Sequence, residues 1–278
     1  MQWINKQITR EGVTLNYIDE GKGPAILLVH GFPDSCHVWR HQIATIVAQG
    51  YRVIAPDIRG FGQSDAPTDT GSYTLEEITS DLIALLDDCD IDRVAVVGHD
   101  WGAAICWALV DAIGDRAACF VPLSTGAPQC YAHCDDIRQK ELGWYFLMFQ
   151  MQGAAEQLLA ADDWKLFRQW TRHHSETDHW ITELSREGRL TSAIAIYRAN
   201  IGLLMSDREY VSVSPTLGLW SAEDAYLVEE QMIASGRFVK NQWRYEKVDN
   251  AGHWMMLDRP DHIGRLLSNF IGLHHPSA

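Results

Sequence analysis

Asp100 stands in a sequence pattern that would present its side chain for chemistry. The apolar run from Val94 to Val97 predicts a buried strand, and Gly98 follows it. Asp100 lies between that glycine and Gly102, in the small-x-nucleophile-x-small pattern of a sharp turn from strand to helix. A carboxylate so presented can displace a leaving group from a saturated carbon, leaving an ester that water can cleave. The pattern predicts Asp100 as a nucleophile, and no Gly-x-Ser-x-Gly turn supplies a serine for a serine-type esterase.

The chain also contains a base and an acid that would complete a hydrolytic triad. Hydrolysis of the ester needs a base that activates water and an acid that orients the base. In one chain order of such triads the nucleophile comes first, then the acid, then histidine. Asp224 follows the strand-like run Thr216–Leu219, with Glu223 beside it as the alternative acid. His253 lies in a loop before the last helix-like segment, so we predict His253 as the base and Asp224 as its partner.

Two backbone N–H groups are expected to stabilise the oxyanion that forms during ester hydrolysis. One belongs to Trp101, directly after the nucleophile. The other belongs to Phe32, in the loop His30–Asp34, where a glycine and a proline suit a rigid turn. These residues predict an oxyanion hole made by Phe32 and Trp101.

Alternating strands and helices would bring these residues to one edge of a sheet. We predict an α/β fold with a doubly wound, mostly parallel sheet, whose strand ends meet at the ligand-binding edge. The strand-like runs are Val13–Tyr17, Ala25–Val29, Arg52–Ala55, Arg93–Val97, Ala118–Leu123, Thr216–Leu219 and Trp243–Val248. The helix-like segments between them are Trp39–Gln49, Thr74–Asp88, Gly102–Ile113 and Pro260–Ile271.

One long region interrupts the alternation of strands and helices. Residues 128–213 contain no convincing strand and are dense in Trp, Met, Phe, Gln and Leu. We interpret them as a helical cap inserted over the carboxyl ends of the strands. The predicted organisation is therefore a core made of residues 1–127 and 214–278, with a cap of residues 128–213.

Composition narrows the classes of partner. The chain has 278 residues, 46% of them hydrophobic, and a net charge of −14, which argues against nucleic acid and anionic membranes as partners. No signal peptide and no apolar run of transmembrane length is apparent, so we expect a cytoplasmic protein. The spacing of the six cysteines is not that of a disulfide framework, and Cys130, His133 and Cys134 lack the further ligands of a metal site.

Four motifs together resemble the epoxide hydrolase and haloalkane dehalogenase branch of the α/β-hydrolase family. They are His30–Pro33, Asp57–Ser64, Gly98–Gly102 and Gly252–Trp254, and the resemblance covers essentially the whole chain, cap included. It implies the α/β-hydrolase fold, no metal, no organic cofactor, and a monomer or homodimer. In this family the arginine and glycine at Arg59 and Gly60 are mostly architectural.

The choice between the two activities depends on the leaving group. An epoxide oxygen leaves as a basic alkoxide and needs a proton donor, a role that tyrosine hydroxyls can fill. The segments around Tyr145 and Tyr197 resemble those that carry the two ring-opening tyrosines of epoxide hydrolases. The resemblance therefore implies an epoxide hydrolase in which Tyr145 and Tyr197 donate protons. The alternative is that both tyrosine side chains have only a packing role in the core of the cap.

A haloalkane dehalogenase remains the second hypothesis. It would use the same Asp100, His253 and Asp224, but a halide needs only N–H donors, and Trp101 stands where a dehalogenase has a halide-binding indole. For either activity the apolar cap predicts a small hydrophobic substrate, with an epoxide favoured. The expected pocket residues are Phe32, Trp101, Trp144, Phe149 and Trp254.

Overall fold

Eight strands form one sheet in the computed structural model, which describes residues 3–277. They are β1 (Asn5–Arg10), β2 (Val13–Gly21), β3 (Ala25–Val29), β4 (Arg52–Pro56), β5 (Val94–His99), β6 (Ala117–Leu123), β7 (Thr216–Ser221) and β8 (Trp243–Val248). Their order across the sheet is β1-β2-β4-β3-β5-β6-β7-β8. β2 runs antiparallel to β1 and β4, and every other neighbouring pair is parallel. The predicted mostly parallel α/β architecture is confirmed.

The first strand is a feature that the sequence pattern did not predict. Residues Asn5–Arg10 are mostly polar and exposed, and they lack a clear alternation of apolar and polar side chains. They form an edge strand through their pairing with β2, from Asn5 opposite Ile18 to Arg10 opposite Val13. The strand is thus specified by its partner rather than by its own residues.

Twelve α-helices within residues 3–277 lie around this sheet. They are α1 (Arg40–Ala48), α2 (Leu75–Asp88), α3 (Trp101–Ile113), α4 (Pro128–Ala132), α5 (Ile137–Leu142), α6 (Trp144–Met148), α7 (Ala154–Trp170), α8 (Thr177–Leu184), α9 (Arg189–Ala199), α10 (Glu229–Ala234), α11 (Met255–Asp258) and α12 (Pro260–His274). α1 packs against α12 and α2 against α3, and β3, β5 and β6 are buried along their whole length. None of the helices that the structure describes is long and apolar enough to cross a membrane.

Six of these helices, α4–α9, lie between β6 and β7 and belong to residues 128–213, which we call the helical segment. Within it the structure describes no strand, and only an isolated bridge joins Ser212 to Val239. Polar contacts attach the segment to the rest of the chain: Arg186 donates to the carbonyl of Gly62, and the side chain of Asn200 accepts the N–H of Leu75.

The turn between β5 and α3 has a constrained backbone. Asp100 has φ 54° and ψ −124°, a conformation that few residues other than glycine adopt. Gly102, in the first turn of α3, lies directly against the end of β3, so a Cβ there would overlap the carbonyl oxygens of Val29 and His30. Because α3 and β3 approach so closely, Asp100 lies beside the loop that follows β3.

Gly102→Ala is expected to lower the free energy of unfolding by about 1–3 kcal/mol, because the methyl group must displace backbone atoms. Gly264→Ala is the matched control, since a Cβ at that position in α12 meets only Thr45 Cγ2, at 3.9 Å. Alanine is the better helix former by about 1 kcal/mol, so this control should be neutral or stabilising. Urea unfolding followed by circular dichroism measures both changes, and an unchanged Gly102→Ala protein would contradict the packing described here.

Candidate active site

Asp100 lies at the carboxyl end of β5, with its side chain 13% exposed. The backbone N–H of Phe32 donates to Asp100 Oδ1 at 2.8 Å. The N–H of Trp101, the first residue of α3, also favours the ionised form of this carboxyl group. Both donors predicted for an oxyanion hole therefore meet at Asp100, because the loop after β3 lies beside the end of β5.

His253 and Asp224 form a hydrogen-bonded pair beside this carboxylate. His253 Nδ1 lies 2.9 Å from Asp224 Oδ2, and the other oxygen, Oδ1, accepts the N–H groups of Tyr226 and Leu227 at 2.9 and 3.1 Å. A carboxylate can only accept, so Nδ1 carries a proton and Nε2 faces Asp100. Glu223 is exposed to solvent, so the side chain that meets His253 is that of Asp224.

The loop that carries His253 is tied to the turn at Asp100. His99 Nε2 donates to the carbonyl oxygen of His253 at 3.0 Å, and Ser124 Oγ donates to the same oxygen at 3.1 Å. These residues come from the ends of β5 and β6. The sequence did not single out Ser124, and the signal available was only that it directly follows β6.

Charge couples His253 to both carboxylates. His253 Nε2 lies 3.6 Å from Asp100 Oδ2, close enough for strong attraction but longer than a normal hydrogen bond. Burial by itself would lower the pKa of His253, but the negative charges of Asp224 and Asp100 outweigh it and raise the pKa to about 10. Burial would raise the pKa of Asp100, and His253 outweighs that effect and holds it below its ordinary value.

Tyr145 and Tyr197 meet in the same place from different helices. Tyr145 lies on α6 and Tyr197 on α9, and their rings are 5.9 Å apart with the planes nearly perpendicular. Both side chains are buried, with 6% and 3% exposure. Burial raises the pKa of each hydroxyl well above its ordinary value. Both hydroxyls therefore stay protonated near neutral pH and can act as donors.

One cavity brings Asp100, Tyr145 and Tyr197 together. Asp100 is the only charged side chain among its lining residues, so the surroundings of the carboxylate are apolar and aromatic. Residues 203 and 204, in a 3₁₀ turn after α9, were not predicted to reach this cavity. The lining consists of Asp100, Trp101, Ala104, Thr125, Pro128, Tyr131, Ala132, Tyr145, Phe146, Tyr197, Leu203, Leu204 and Leu227.

Of the five residues expected in the pocket, one lines the cavity, three lie behind its wall, and Trp144 lies outside it. Trp101 lines the cavity. Phe32, Phe149 and Trp254 lie behind its wall: the rings of Phe32 and Phe149 pack against Tyr197 at 5.3 and 4.8 Å, and Trp254 packs against His253 at 5.0 Å. Phe32 and Phe149 therefore support Tyr197, and Trp254 supports His253, while none of the three lines the cavity.

Trp144 is a correction. Its side chain is 45% exposed and lines a separate surface depression, so the prediction that it faces the substrate pocket is wrong. Trp144 and Tyr145 are consecutive on α6, and consecutive helical residues point about 100° apart. Since Tyr145 faces the cavity, Trp144 faces outward. Among residues 3–277, no group of three or more His, Cys, Asp or Glu side chains is arranged to hold a metal ion.

The family model described as alpha/beta hydrolase fold matches residues 24–176. Human Epoxide hydrolase 4 is 27% identical over an alignment of 282 positions, which covers 95% of this chain and 77% of that protein. Epoxide hydrolase A of Mycobacterium tuberculosis is 28% identical over 316 residues, covering 95% of this chain and 96% of that protein. The crystal structure of Epoxide Hydrolase A from Mycobacterium thermoresistibile aligns with a TM-score of 0.81 at 26% identity, over 97% of this chain and 98% of that one.

The raised pKa of His253 predicts a pH-dependent stability. The unfolded chain has the ordinary histidine value of 6.5, so the folded state binds this proton more tightly. The resulting stabilisation is fully present below about pH 6.5 and is lost as the pH rises towards 10. The free energy of unfolding should therefore fall more steeply between pH 7 and about 10 in the wild type than in His253→Gln.

Urea unfolding at several pH values measures this difference. His41→Gln removes an exposed histidine on α1 and is the matched control, which should follow the wild-type pH dependence. Parallel curves for the wild type and His253→Gln would mean that the two carboxylates do not hold a proton on His253.

Proposed function

We propose that this chain, which belongs to the alpha/beta hydrolase fold family, is an epoxide hydrolase. It would convert apolar epoxides to vicinal diols through an ester on Asp100. The observation that carries the proposal is that a carboxylate and two protonated tyrosine hydroxyls, those of Tyr145 and Tyr197, line one apolar cavity. The names of the similar proteins, which are epoxide hydrolases, support the same activity.

The first half-reaction opens the ring. A carboxylate oxygen of Asp100 attacks an epoxide carbon, and the bond from that carbon to the ring oxygen breaks. The ring oxygen takes a proton from the hydroxyl of Tyr145 or Tyr197, while the other hydroxyl donates a hydrogen bond. The products of this step are a hydroxyalkyl ester of Asp100 and a tyrosinate.

The second half-reaction hydrolyses the ester. Conversion of Asp100 to a neutral ester removes one of the two negative charges that raise the pKa of His253. The Nε2 proton then passes to the tyrosinate, and neutral His253 takes a proton from water. The hydroxide attacks the ester carbon, and the N–H groups of Phe32 and Trp101 stabilise the resulting oxyanion. When the oxyanion collapses, the bond from the ester carbon to the alkyl oxygen breaks, and that oxygen takes the Nε2 proton of His253, so that the diol leaves. The regenerated carboxyl group of Asp100 then gives its proton to His253. Asp224 holds the imidazole and balances its charge.

The helical segment, residues 128–213, acts in this proposal as a cap domain over a core of residues 1–127 and 214–278. It contributes Tyr145 and Tyr197 and closes the apolar cavity. A substrate without charged groups is favoured, since the lining contains no positively charged side chain that would pair with an anion.

Dehalogenation is the second candidate, supported by the indole of Trp101 in the cavity beside Asp100. A halide leaves as a stable anion and does not need to take up a proton. The two tyrosine hydroxyls in the same cavity therefore favour the epoxide as substrate.

Styrene oxide and 1-bromobutane, tested side by side, distinguish the two activities. The wild type is expected to release diol from styrene oxide and to release no bromide from 1-bromobutane. His253→Gln should lose diol release by about 10²–10⁴-fold, because water is no longer activated, while Asp100 is still alkylated. Intact-protein mass spectrometry of this variant should show a gain of the full mass of styrene oxide.

The mass of the adduct separates the alternatives. A haloalkane would add only its alkyl group, because the halide leaves, whereas an epoxide adds all of its atoms. Bromide release by the wild type together with a butyl adduct on His253→Gln would replace the proposal with dehalogenation. Normal turnover by His253→Gln would overturn its role as base.

Removing the tyrosine hydroxyls tests the ring-opening step. Tyr145→Phe or Tyr197→Phe alone should slow formation of the alkyl-enzyme by roughly 10–100-fold, since the remaining hydroxyl can still donate. The double variant should lose ring opening, as measured by single-turnover mass spectrometry. Tyr210→Phe is the control, because the buried hydroxyl of Tyr210 has no hydrogen-bond partner among the described residues. Unchanged kinetics in the double variant would mean that both tyrosines only pack.

A further inference from the structure

Trp180 connects the helical segment to the loop that supplies the Phe32 N–H. It lies on α8, and its indole Nε1–H donates to Asp34 Oδ2 at 2.9 Å. Asp34 stands two residues after Phe32, and its other oxygen accepts the N–H of Ser35 at 2.9 Å. The contact is enclosed, since Trp180 is 1% exposed and Asp34 4%. A desolvated carboxylate depends strongly on such partners, so Asp34 favours the position of α8 that supplies the indole.

The same indole also reaches the loop that carries His253. The rings of Trp180 and Trp254 are 4.4 Å apart at an angle of 37°. Trp254 directly follows His253, and its ring packs edge-on against the imidazole at 5.0 Å. One side chain of the helical segment therefore contacts both loops that flank Asp100 on the core side.

We propose that Asp34 and Trp180 are positioning residues, which couple the seating of the helical segment on the core to the hydrolysis of the ester. The proposal rests on the proposed epoxide hydrolase activity. With α8 seated, the hydrogen bond to Asp34 holds the Phe32 loop and the indole ring holds the His253 loop. If the helical segment moves away from the core, the hydrogen bond to Asp34 and the ring contact with Trp254 are lost together.

The two half-reactions should respond differently. Ring opening uses the Asp100 carboxylate and the hydroxyls of Tyr145 and Tyr197. Ester hydrolysis needs the Phe32 N–H at the oxyanion and His253 aligned on water at the same moment, so it depends on both loops. Loosening the Asp34–Trp180 contact should therefore slow hydrolysis of the ester more than its formation.

Trp180→Phe keeps an aromatic ring against Trp254 but removes the indole N–H. With styrene oxide, kcat is expected to fall roughly tenfold, the size of effect that loss of one buried hydrogen bond produces. The apparent KM should fall with it, leaving kcat/KM within about twofold, because kcat/KM reports only the steps through ester formation. Acid quenching at saturating epoxide, followed by intact-protein mass spectrometry, should reveal a larger alkylated fraction than in the wild type.

Three further variants control the measurement. Asp34→Asn retains an oxygen that can accept the indole N–H, so it should keep more activity than Asp34→Ala, and this pair replaces Trp180→Phe if that protein does not fold. Trp164→Phe makes the same substitution elsewhere in the helical segment, where the ring packs against Phe167, and should match the wild type.

The outcomes separate the two proposals. A wild type that converts styrene oxide, with variants that lose kcat/KM or show no increase in the alkylated fraction, overturns the positioning role alone. Equal losses in Asp34→Asn and Asp34→Ala also overturn it, because the retained acceptor would then be without effect. A wild type that does not open styrene oxide overturns the proposed function and this inference with it.

Discussion

A carboxylate on the wall of an apolar cavity is costly unless the protein replaces the water that it has lost, and this requirement organises the centre of the molecule. Asp100 receives the N–H of Phe32 from the loop after β3 and the charge of His253 from the loop after β8. These loops come from distant parts of the chain. They meet because parallel strands present their carboxyl ends at one edge of the sheet, and because Gly102 lets α3 begin directly against β3.

The low polarity that makes the charge of Asp100 costly favours the neutral, protonated form of the two tyrosines. Burial keeps Tyr145 and Tyr197 protonated, and the lining provides no positive charge that would stabilise a tyrosinate in the resting protein. One low-polarity cavity thus holds a nucleophile and two proton donors side by side without transfer of a proton between them. The helical segment creates that condition, since both tyrosines come from it and the sheet supplies the carboxylate.

His253 joins the two halves of the proposed reaction through charge. It lies between Asp224 and Asp100, and the protonation of its ring depends on the sum of their charges. Ester formation changes that sum, so a chemical step on Asp100 prepares the base for the next step. Such a mechanism requires the His253 loop to stay in place, and bonds from His99 and Ser124, together with packing against Trp254, hold it there.

Features that depend on short stretches of chain could be predicted from the sequence alone. The turn around Asp100, the buried runs that form the central strands, the order of Asp100, Asp224 and His253, and the helical character of residues 128–213 all depend on neighbouring residues. Other features depend on which face of an element meets its surroundings. Only the tertiary structure brings Asp224 rather than Glu223 to His253 and turns Trp144 outward while Tyr145 faces the cavity. The pairing of β1 with β2 joins residues up to 13 positions apart, at Asn5 opposite Ile18. The contact of Trp180 with Asp34 joins residues 146 positions apart. Both depend on packing partners that no local pattern encodes.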